Sequence, residues 1–150
     1  MSDVHSSGTR SKNMSRIKSK DTKPELLIRK VLFSRGFRYR LHRNDLPGTP
    51  DIVLAKHNTA IFVHGCFWHR HGCSLTTTPA TRRDWWKQKL QANRTRDKRN
   101  IIQLHRKGWR VFVFWQCSIQ RGSRRKQAEH VVSSFEQWLH GFDIYGEASE

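Results

Sequence analysis

The sequence predicts an α/β domain built on a mixed β-sheet with helices on its faces. Three apolar runs, IVLA at 52–55, AIFV at 60–63 and WRVFVFW at 109–115, have the composition of strands buried on both faces. Helical patterns precede, separate and follow them, in the order α-β-β-β-α-β-α, which indicates a sheet flanked by helices. A chain of 150 residues has room for one core.

The first helix is predicted to begin at Thr22 and to end at Gly36. Thr22 and Glu25 have the spacing of a capping box, in which each satisfies a backbone N–H of the first turn. Pro24 is tolerated there because its missing N–H would have no partner. Gly36 is a typical helix stop. The strands that follow are predicted at 37–42, 51–55 and 60–64.

The second half is predicted to contain a long helix, a strand, a last helix and a frayed tail. The long helix spans roughly 82–107, and its polar middle, QANRTRDKRN, indicates a segment that faces solvent or a ligand. The strand at 109–115 and a helix at about 124–140 follow. The final residues, from 141 onward, have no apolar pattern and are predicted to fray.

The net charge predicts a polyanionic partner. The chain has 29 Lys and Arg against 12 Asp and Glu, which gives a formal charge of +17 and a pI near 10.9. Nucleic acid is the commonest polyanion that such a field attracts, and a basic enzyme of no special partner is the alternative. No run of 18 apolar residues and no secretory signal is visible, so we expect no membrane partner, a cytoplasmic location and reduced cysteines.

Residues 1–20 are polar and basic without apolar periodicity, and 21–150 are predicted to form the folded domain. The first segment is interpreted either as a solvated tail or as a cationic arm that becomes ordered on phosphates.

A cluster of soft metal ligands lies in GCFWHRHGC and at Cys117. Cys66, Cys73 and Cys117 could bind zinc together with one histidine, because structural zinc sites take four N and S ligands. The spacing leaves open whether His69 or His71 is the fourth ligand. The alternative is three small buried thiols.

Asp51 is the candidate for a hard metal. It opens a strand behind a Gly-Thr-Pro turn, and Mg²⁺ is often held by one or two carboxylates. A turn-capping aspartate is the alternative. No Asp or Glu occurs between Asp51 and Asp84, so a hydrolase would depend on Asp51 and on histidines such as His64 and His69 as bases or charge stabilisers.

Two aromatic pairs, Phe67-Trp68 and Trp85-Trp86, indicate contact with bases. Aromatic side chains can wedge between base steps at a cost of roughly a few kcal/mol per step. One member of each pair belongs to the core by the ordinary rules of burial, and we predict Phe67, Trp68 and Trp86 at the DNA.

Five motifs together resemble the very short patch repair (Vsr) endonucleases, which nick DNA beside T:G mismatches. They are RSKNMSRIKSKDTKPE, LPGTPDIV, FVHGCFWHRHGC, NRTRDKRN and WRVFVFWQC, and they cover roughly residues 10–120 in order. The resemblance implies a restriction-endonuclease-like fold of the PD-(D/E)xK superfamily, with a structural zinc site and a catalytic Mg²⁺.

The resemblance also implies roles for individual residues. Mg²⁺ would bind the Asp51 carboxylate and the backbone carbonyl of Val63. His69 would be the general base on the attacking water, with Glu25 hydrogen-bonded to orient it, and His64 the second catalytic histidine. Some family members carry Thr where this chain has Val63, but a backbone ligand should survive that change. The second acidic-x-lysine element of related nucleases is absent, as in this family.

The remaining implied roles concern zinc and DNA. The zinc ligands would be Cys66, His71, Cys73 and Cys117. The wedge would consist of Phe67, Trp68 and Trp86, the arm would place Met14 near the T:G pair, and the mismatched bases would contact Lys89 and Asn93.

The sequence thus predicts a monomeric, strand-specific DNA endonuclease of the bacterial nucleoid that nicks next to the T of a T:G mismatch, with other repair proteins as further partners. A nuclease of the same fold with another specificity, or a zinc-stabilised DNA-binding module without catalysis, are the alternatives.

Overall fold

A computed structural model describes residues 20–120 and 123–149. The predicted basic arm therefore lies, apart from Lys20, outside the described residues, and so does Met14. The boundary between arm and domain stays a prediction. Within the described ranges, no helix is both long enough and apolar enough to cross a membrane.

The helices and strands follow the predicted order, with one helix and one strand added. Their bounds are α1 Lys23–Ser34, β1 Arg40–Leu41, β2 Ile52–Leu54, β3 Thr59–His64, α2 Cys66–His69, α3 Arg83–Arg106, β4 Arg110–Trp115, α4 Arg124–Leu139 and β5 Tyr145–Ala148. Short 3₁₀ turns follow β2 at Ala55–His57 and β4 at Gln116–Ile119.

The strands form one mixed sheet in the order β1-β2-β3-β4-β5. The first three strands are antiparallel neighbours, whereas β3 and β4, and β4 and β5, are parallel. Parallel neighbours need a crossover connection, and α3 and α4 provide the two crossovers. The predicted mixed α/β architecture is therefore confirmed.

Side chains of β3 and β4 alternate between two cores, because successive residues of a strand point to opposite faces. Ile61 and Phe114 belong to the core under α1 and α4, which also contains Phe135. Phe62 and Val113 belong to the core under α3. Both strands are buried on both faces, as their unbroken apolar runs predicted.

The start of α1 uses a variant of the predicted capping box. The Thr22 hydroxyl accepts a hydrogen bond from the Glu25 N–H at 3.3 Å, as predicted. The Glu25 carboxylate reaches back one residue further than expected and accepts from the Asp21 N–H at 3.2 Å. The side chain of Glu25 is thereby drawn inside the protein, where it is 1% exposed.

The prediction of a frayed C-terminal tail is wrong. Tyr145–Ala148 forms β5, which pairs in parallel with Val111–Phe114 of β4. The strand lacks a continuous apolar run, since Gly146 and Glu147 interrupt it, so its pattern did not reveal it. It forms because the edge of β4 offers unpaired backbone groups that another strand can satisfy.

Two further boundaries differ from the predictions. The first strand is confined to Arg40–Leu41 within the predicted 37–42, and the residues after β3 form the four-residue helix α2, which was not predicted. A helix this short has too little periodicity to be recognised in a sequence.

Gly146 gives a test of how β5 packs. A Cβ at this position would lie 2.5 Å from Trp138 Nε1 and 2.9 Å from Phe112 Cδ2, whereas a Cβ at Gly141 would lie 3.4 Å from its nearest neighbour. We expect Gly146→Ala to lower the free energy of unfolding by about 1–3 kcal/mol in urea titrations. Gly141→Ala is the matched control and should change it little. Equal effects of the two substitutions would contradict this packing.

Candidate active site

Asp51 is held at the start of β2 by the neighbouring strand. Its Oδ2 accepts a hydrogen bond from the Val63 N–H of β3 at 2.8 Å, and its side chain is 14% exposed. Burial raises the pKa of Asp51 to about 7; the Val63 N–H opposes this rise and the nearby Glu25 carboxylate adds to it. A buried carboxylate with a like-charged neighbour is a site where a cation would be stabilised.

Glu25 lies beside Asp51 inside a network of charges. Its Oε2 accepts from Arg29 Nη1 at 3.0 Å and lies 3.2 Å from His42 Nε2. Arg29 also donates to Asp21 at 2.7 Å. The sequence did not indicate Asp21, Arg29 or His42 as neighbours of the site, because they are separated along the chain and follow no motif.

The two histidines predicted to be catalytic are stacked on each other. The rings of His64 and His69 are 3.8 Å apart between centroids and 2° from parallel. His64 is 7% exposed, and burial, followed by the charges of His69 and Arg96, lowers its pKa well below the usual value. His64 is therefore neutral near pH 7 in this structure.

His69 is oriented by Asp97, which the sequence analysis missed. Its Nδ1 lies 2.5 Å from Asp97 Oδ2, whereas Glu25 forms its hydrogen bonds with Asp21 and Arg29. The expected link between Glu25 and His69 is thus not made directly. The available signal was a single acidic residue among the cations of RTRDKR, in a helix segment already predicted to face a ligand.

The four predicted zinc ligands converge. One ligand atom from each of Cys66, His71, Cys73 and Cys117 lies within 4.8 Å of the others, and Cys117 Sγ lies 3.5 Å from His71 Nδ1. The His71 ring also stacks on Trp115, with centroids 4.2 Å apart. His69 belongs to the other cluster.

The chemistry of these donors fits zinc. Three thiols and an imidazole are a common set for a closed tetrahedral zinc site. Burial raises the pKa of Cys73, but hydrogen bonds with His71, the Leu75 backbone, Cys66 and Thr76 outweigh it and lower that pKa to about 7. A thiol that loses its proton near neutral pH is a good metal ligand.

The aromatic residues form one cluster around α2 and the start of α3. Trp86 packs 5.8 Å from Phe67 and 6.1 Å from Trp68, measured between ring centroids, and is 4% exposed. Trp85 is 41% exposed. The structure thus places Trp86 beneath Phe67 and Trp68 rather than at the surface, because α3 turns the first tryptophan of the pair outward.

The two residues predicted to contact mismatched bases differ in exposure. Lys89 is exposed on α3. Asn93 is 8% exposed, and its Nδ2 donates a hydrogen bond to the Trp68 carbonyl at 3.2 Å. Within this structure, Asn93 therefore holds α2 in place.

Comparison with known proteins identifies the family. The family model described as DNA mismatch endonuclease Vsr matches residues 2–75. The DNA mismatch endonuclease Vsr of Escherichia coli (strain K12) is 41% identical over 141 residues, which cover 94% of this chain and 90% of the relative.

The chain belongs to the Vsr family. As a Vsr family member it is a DNA endonuclease, a hydrolase. The type II nicking enzyme V.XorIIP of Xanthomonas oryzae pv. oryzae (strain KACC10331 / KXO85) is 52% identical over 106 residues, which cover 71% of this chain and 78% of the relative. V.NmeAIP of Neisseria meningitidis serogroup A, also named a type II nicking enzyme, is 43% identical over 120 residues, 80% of this chain and 86% of the relative.

The raised pKa of Asp51 predicts how stability depends on pH. The folded chain keeps the Asp51 proton up to about pH 7, whereas the unfolded chain loses it near pH 4, so metal-free stability falls between these values. Asp51→Asn should remove this loss and raise the free energy of unfolding at pH 8 by at most about 4 kcal/mol, with no gain at pH 4.

The exposed Asp84→Asn is the control for this measurement. Mg²⁺ should raise the thermal midpoint of the wild type and of this control at pH 8, but not that of Asp51→Asn. Equal metal-free stability of the wild type and Asp51→Asn at pH 8 would contradict the assignment of Asp51 as a strained, buried carboxylate.

Proposed function

We propose that this enzyme is a strand-specific, Mg²⁺-dependent endonuclease that nicks the phosphodiester next to the T of a T:G mismatch and so starts very short patch repair. The observation that carries the catalytic part is the Asp97–His69 hydrogen bond against the stacked ring of His64. The names of the relatives, which include nicking enzymes and a mismatch endonuclease, support cleavage of one strand and the mismatch.

His69 acts as the general base. Asp97 accepts the Nδ1–H of His69, which leaves Nε2 of that ring as the acceptor for a proton from water. The Asp97 carboxylate then stabilises the imidazolium that forms, as the aspartate does in a hydrolytic triad. Asp97 thus holds both the tautomer and the orientation of the ring.

His64 acts as a neutral hydrogen-bond donor to the scissile phosphate. Two rings stacked at 3.8 Å cannot both carry a positive charge at low cost, so the neutral state of His64 allows His69 to accept the proton. His64 directly follows Val63, whose N–H donates a hydrogen bond to Asp51, so β3 links the proposed donor to the proposed metal-binding carboxylate.

Asp51 and the Val63 carbonyl are the groups that would hold Mg²⁺, with the Glu25 carboxylate beside Asp51. When bound, Mg²⁺ supplies positive charge against the negative charge that develops on the phosphate. The carboxylates of Asp51 and Glu25 provide the oxygen ligands this ion prefers, and a cation relieves their mutual repulsion.

Zn²⁺ at Cys66, His71, Cys73 and Cys117 is proposed to fix the loop that carries the wedge and the base. Phe67, Trp68 and His69 all lie between two of the zinc ligands along the chain. The ion would therefore hold the wedge at a constant distance from the catalytic residues.

Phe67 and Trp68 are the proposed wedge in the DNA, with Trp86 as its support. A T:G pair is more easily distorted than a matched pair, so inserting the wedge costs less there. We propose that Lys89 and Met14 contact the mismatch from the two grooves. Asn93 would reach a base only by leaving the Trp68 carbonyl.

Two other functions remain to be tested against this one. A nuclease of another specificity would keep the Asp97–His69 pair, and a zinc-stabilised DNA-binding module would have no use for it. We expect the enzyme to act as a monomer on nucleoid DNA and to pass the nick to other repair proteins.

The Asp97–His69 pair is tested by Asp97→Asn. We expect the single-turnover nicking rate on a T:G duplex with Mg²⁺ to fall roughly 10²–10⁴-fold, because the amide favours the wrong tautomer of His69. The affinity for the uncut duplex should stay the same. Asp84→Asn, an exposed change on the same helix, is the control. A wild type that binds the duplex without nicking it would establish the binding module instead.

The zinc site is tested by elemental analysis of the purified protein. We expect one zinc per chain in the wild type and none in Cys73→Ala, whose thermal midpoint should also fall because the loop loses its anchor. Ser74→Ala, at the next residue, should keep the metal. Wild-type protein without zinc would refute this part of the proposal.

A further inference from the structure

A cavity of about 360 Å³ lies where α1 and α4 begin beside the 3₁₀ turn that follows β4. Its lining has a consistent chemistry: two cations, two amides and an apolar floor. The cations are Lys23 and Arg124, the amides Gln116 and Gln120, and the floor includes Leu27 and Ile119. None of these residues belongs to the catalytic or zinc clusters described above.

The cavity is close to the active site. Gln116 directly follows Trp115, which pairs with His64 in the β3–β4 ladder. A Cβ on Gly65 would lie 3.7 Å from Gln116 Oε1, so this amide lies beside the backbone between His64 and Cys66. The cavity therefore adjoins the end of β4 that lies opposite His64.

The positive charges around the cavity lie at helix ends where they lower the stability of α1 and α4. Lys23 is the first residue of α1, and α4 begins with Arg124, Arg125 and Lys126 without an acidic residue in its first turn. Cations at a helix N-terminus are unfavourable because that end of the helix already carries a partial positive charge. The Lys and Arg ion pairs found within the described residues include neither Lys23 nor Arg124.

We propose that this cavity binds a phosphate group of the DNA strand other than the scissile one. Lys23 and Arg124 supply the charge, and the side-chain N–H groups of Gln116 and Gln120 donate hydrogen bonds to its oxygens. The apolar floor suits the carbon face of the attached deoxyribose. The proposal rests on the DNA substrate of the proposed function.

The phosphate has two possible sources in this reaction. It could be an internal phosphodiester of the intact strand, or the terminal 5′-phosphate of the nicked product. Both place a tetrahedral anion next to a sugar, and the experiment below separates them.

The test removes the cations and, independently, one DNA charge at a time. Lys23→Ala/Arg124→Ala is compared with wild type for binding to duplexes that carry a single neutral methylphosphonate near the nick position, without added Mg²⁺. At one position of the DNA, the methylphosphonate should weaken duplex binding by the wild type about tenfold and by the variant less than about twofold. The variant is less affected because it lacks the cations that would contact the missing phosphate charge. The thermal midpoint of the variant should stay level or rise.

Lys30→Ala/Lys56→Ala is the matched control, since it removes the same charge from exposed positions outside the cavity. It should keep the full wild-type sensitivity at that position. If Lys23→Ala/Arg124→Ala unfolds, Lys23→Gln/Arg124→Gln gives the same comparison.

Nicked duplexes with and without a 5′-phosphate complete the design. If the wild type and the variant differ only in how binding responds to the 5′-phosphate, the cavity binds the product end. If they differ in how binding responds to a methylphosphonate in the intact strand, the cavity binds the backbone. A variant as sensitive as the wild type at every phosphate overturns the proposal. Because only binding is measured, a failure of nicking would contradict the proposed function without affecting this result.

Discussion

The parallel pairing of β3 with β4 is the constraint on which the rest of the structure depends. Its six-residue register sets His64 opposite Trp115, so the two strands end side by side. The residues just past those ends, Cys66 on one side and Cys117 on the other, therefore meet although they are far apart in sequence. The Cys/His cluster and the His64–His69 pair gather at this edge, which is where α/β sheets bind ligands, at the carboxyl ends of parallel strands.

The crossover helix that this pairing requires also organises the site. Asn93 and Asp97 lie one turn apart on the same face of α3, since residues four apart are neighbours on a helix. The first donates to the Trp68 carbonyl and the second pairs with His69, so α3 holds the C-terminal end of the short helix that carries Phe67 and Trp68. Along the chain, the same segment is flanked by Cys66 and His71 of the Cys/His cluster. The proposed function therefore assigns recognition and chemistry to this one segment.

The electrostatics of the site contrast with those of the whole chain. The protein carries a formal charge of +17, yet Glu25 and Asp51 are buried next to each other. The overall field attracts DNA at long range, whereas the local pair of carboxylates suits a divalent cation. Arg29 offsets part of that local negative charge, and His42 Nε2 lies 3.2 Å from the Glu25 carboxylate.

The core and most of the site could be predicted from the sequence because they follow strong local patterns. Apolar runs marked β2, β3 and β4, and ligand types marked the three cysteines, whereas His71 rather than His69 was implied only by the family resemblance. β5 could not be predicted because its pairing with β4, and not its own composition, makes it a strand. Asp97 was missed because its role depends on which face of α3 meets α2. The same geometry decides that Trp86 is buried and Trp85 exposed.

The central claim is that a wedge-bearing segment fixed to the catalytic residues lets only an easily distorted mismatch be cut. It is tested most directly by single-turnover nicking, with Mg²⁺, of two duplexes that differ only in one T:G or T:A pair. We expect cleavage of one strand, next to the T, in the T:G duplex and a rate at least about tenfold lower for the matched duplex, which corresponds to about 1.4 kcal/mol of extra distortion. Equal rates on the two duplexes would contradict it.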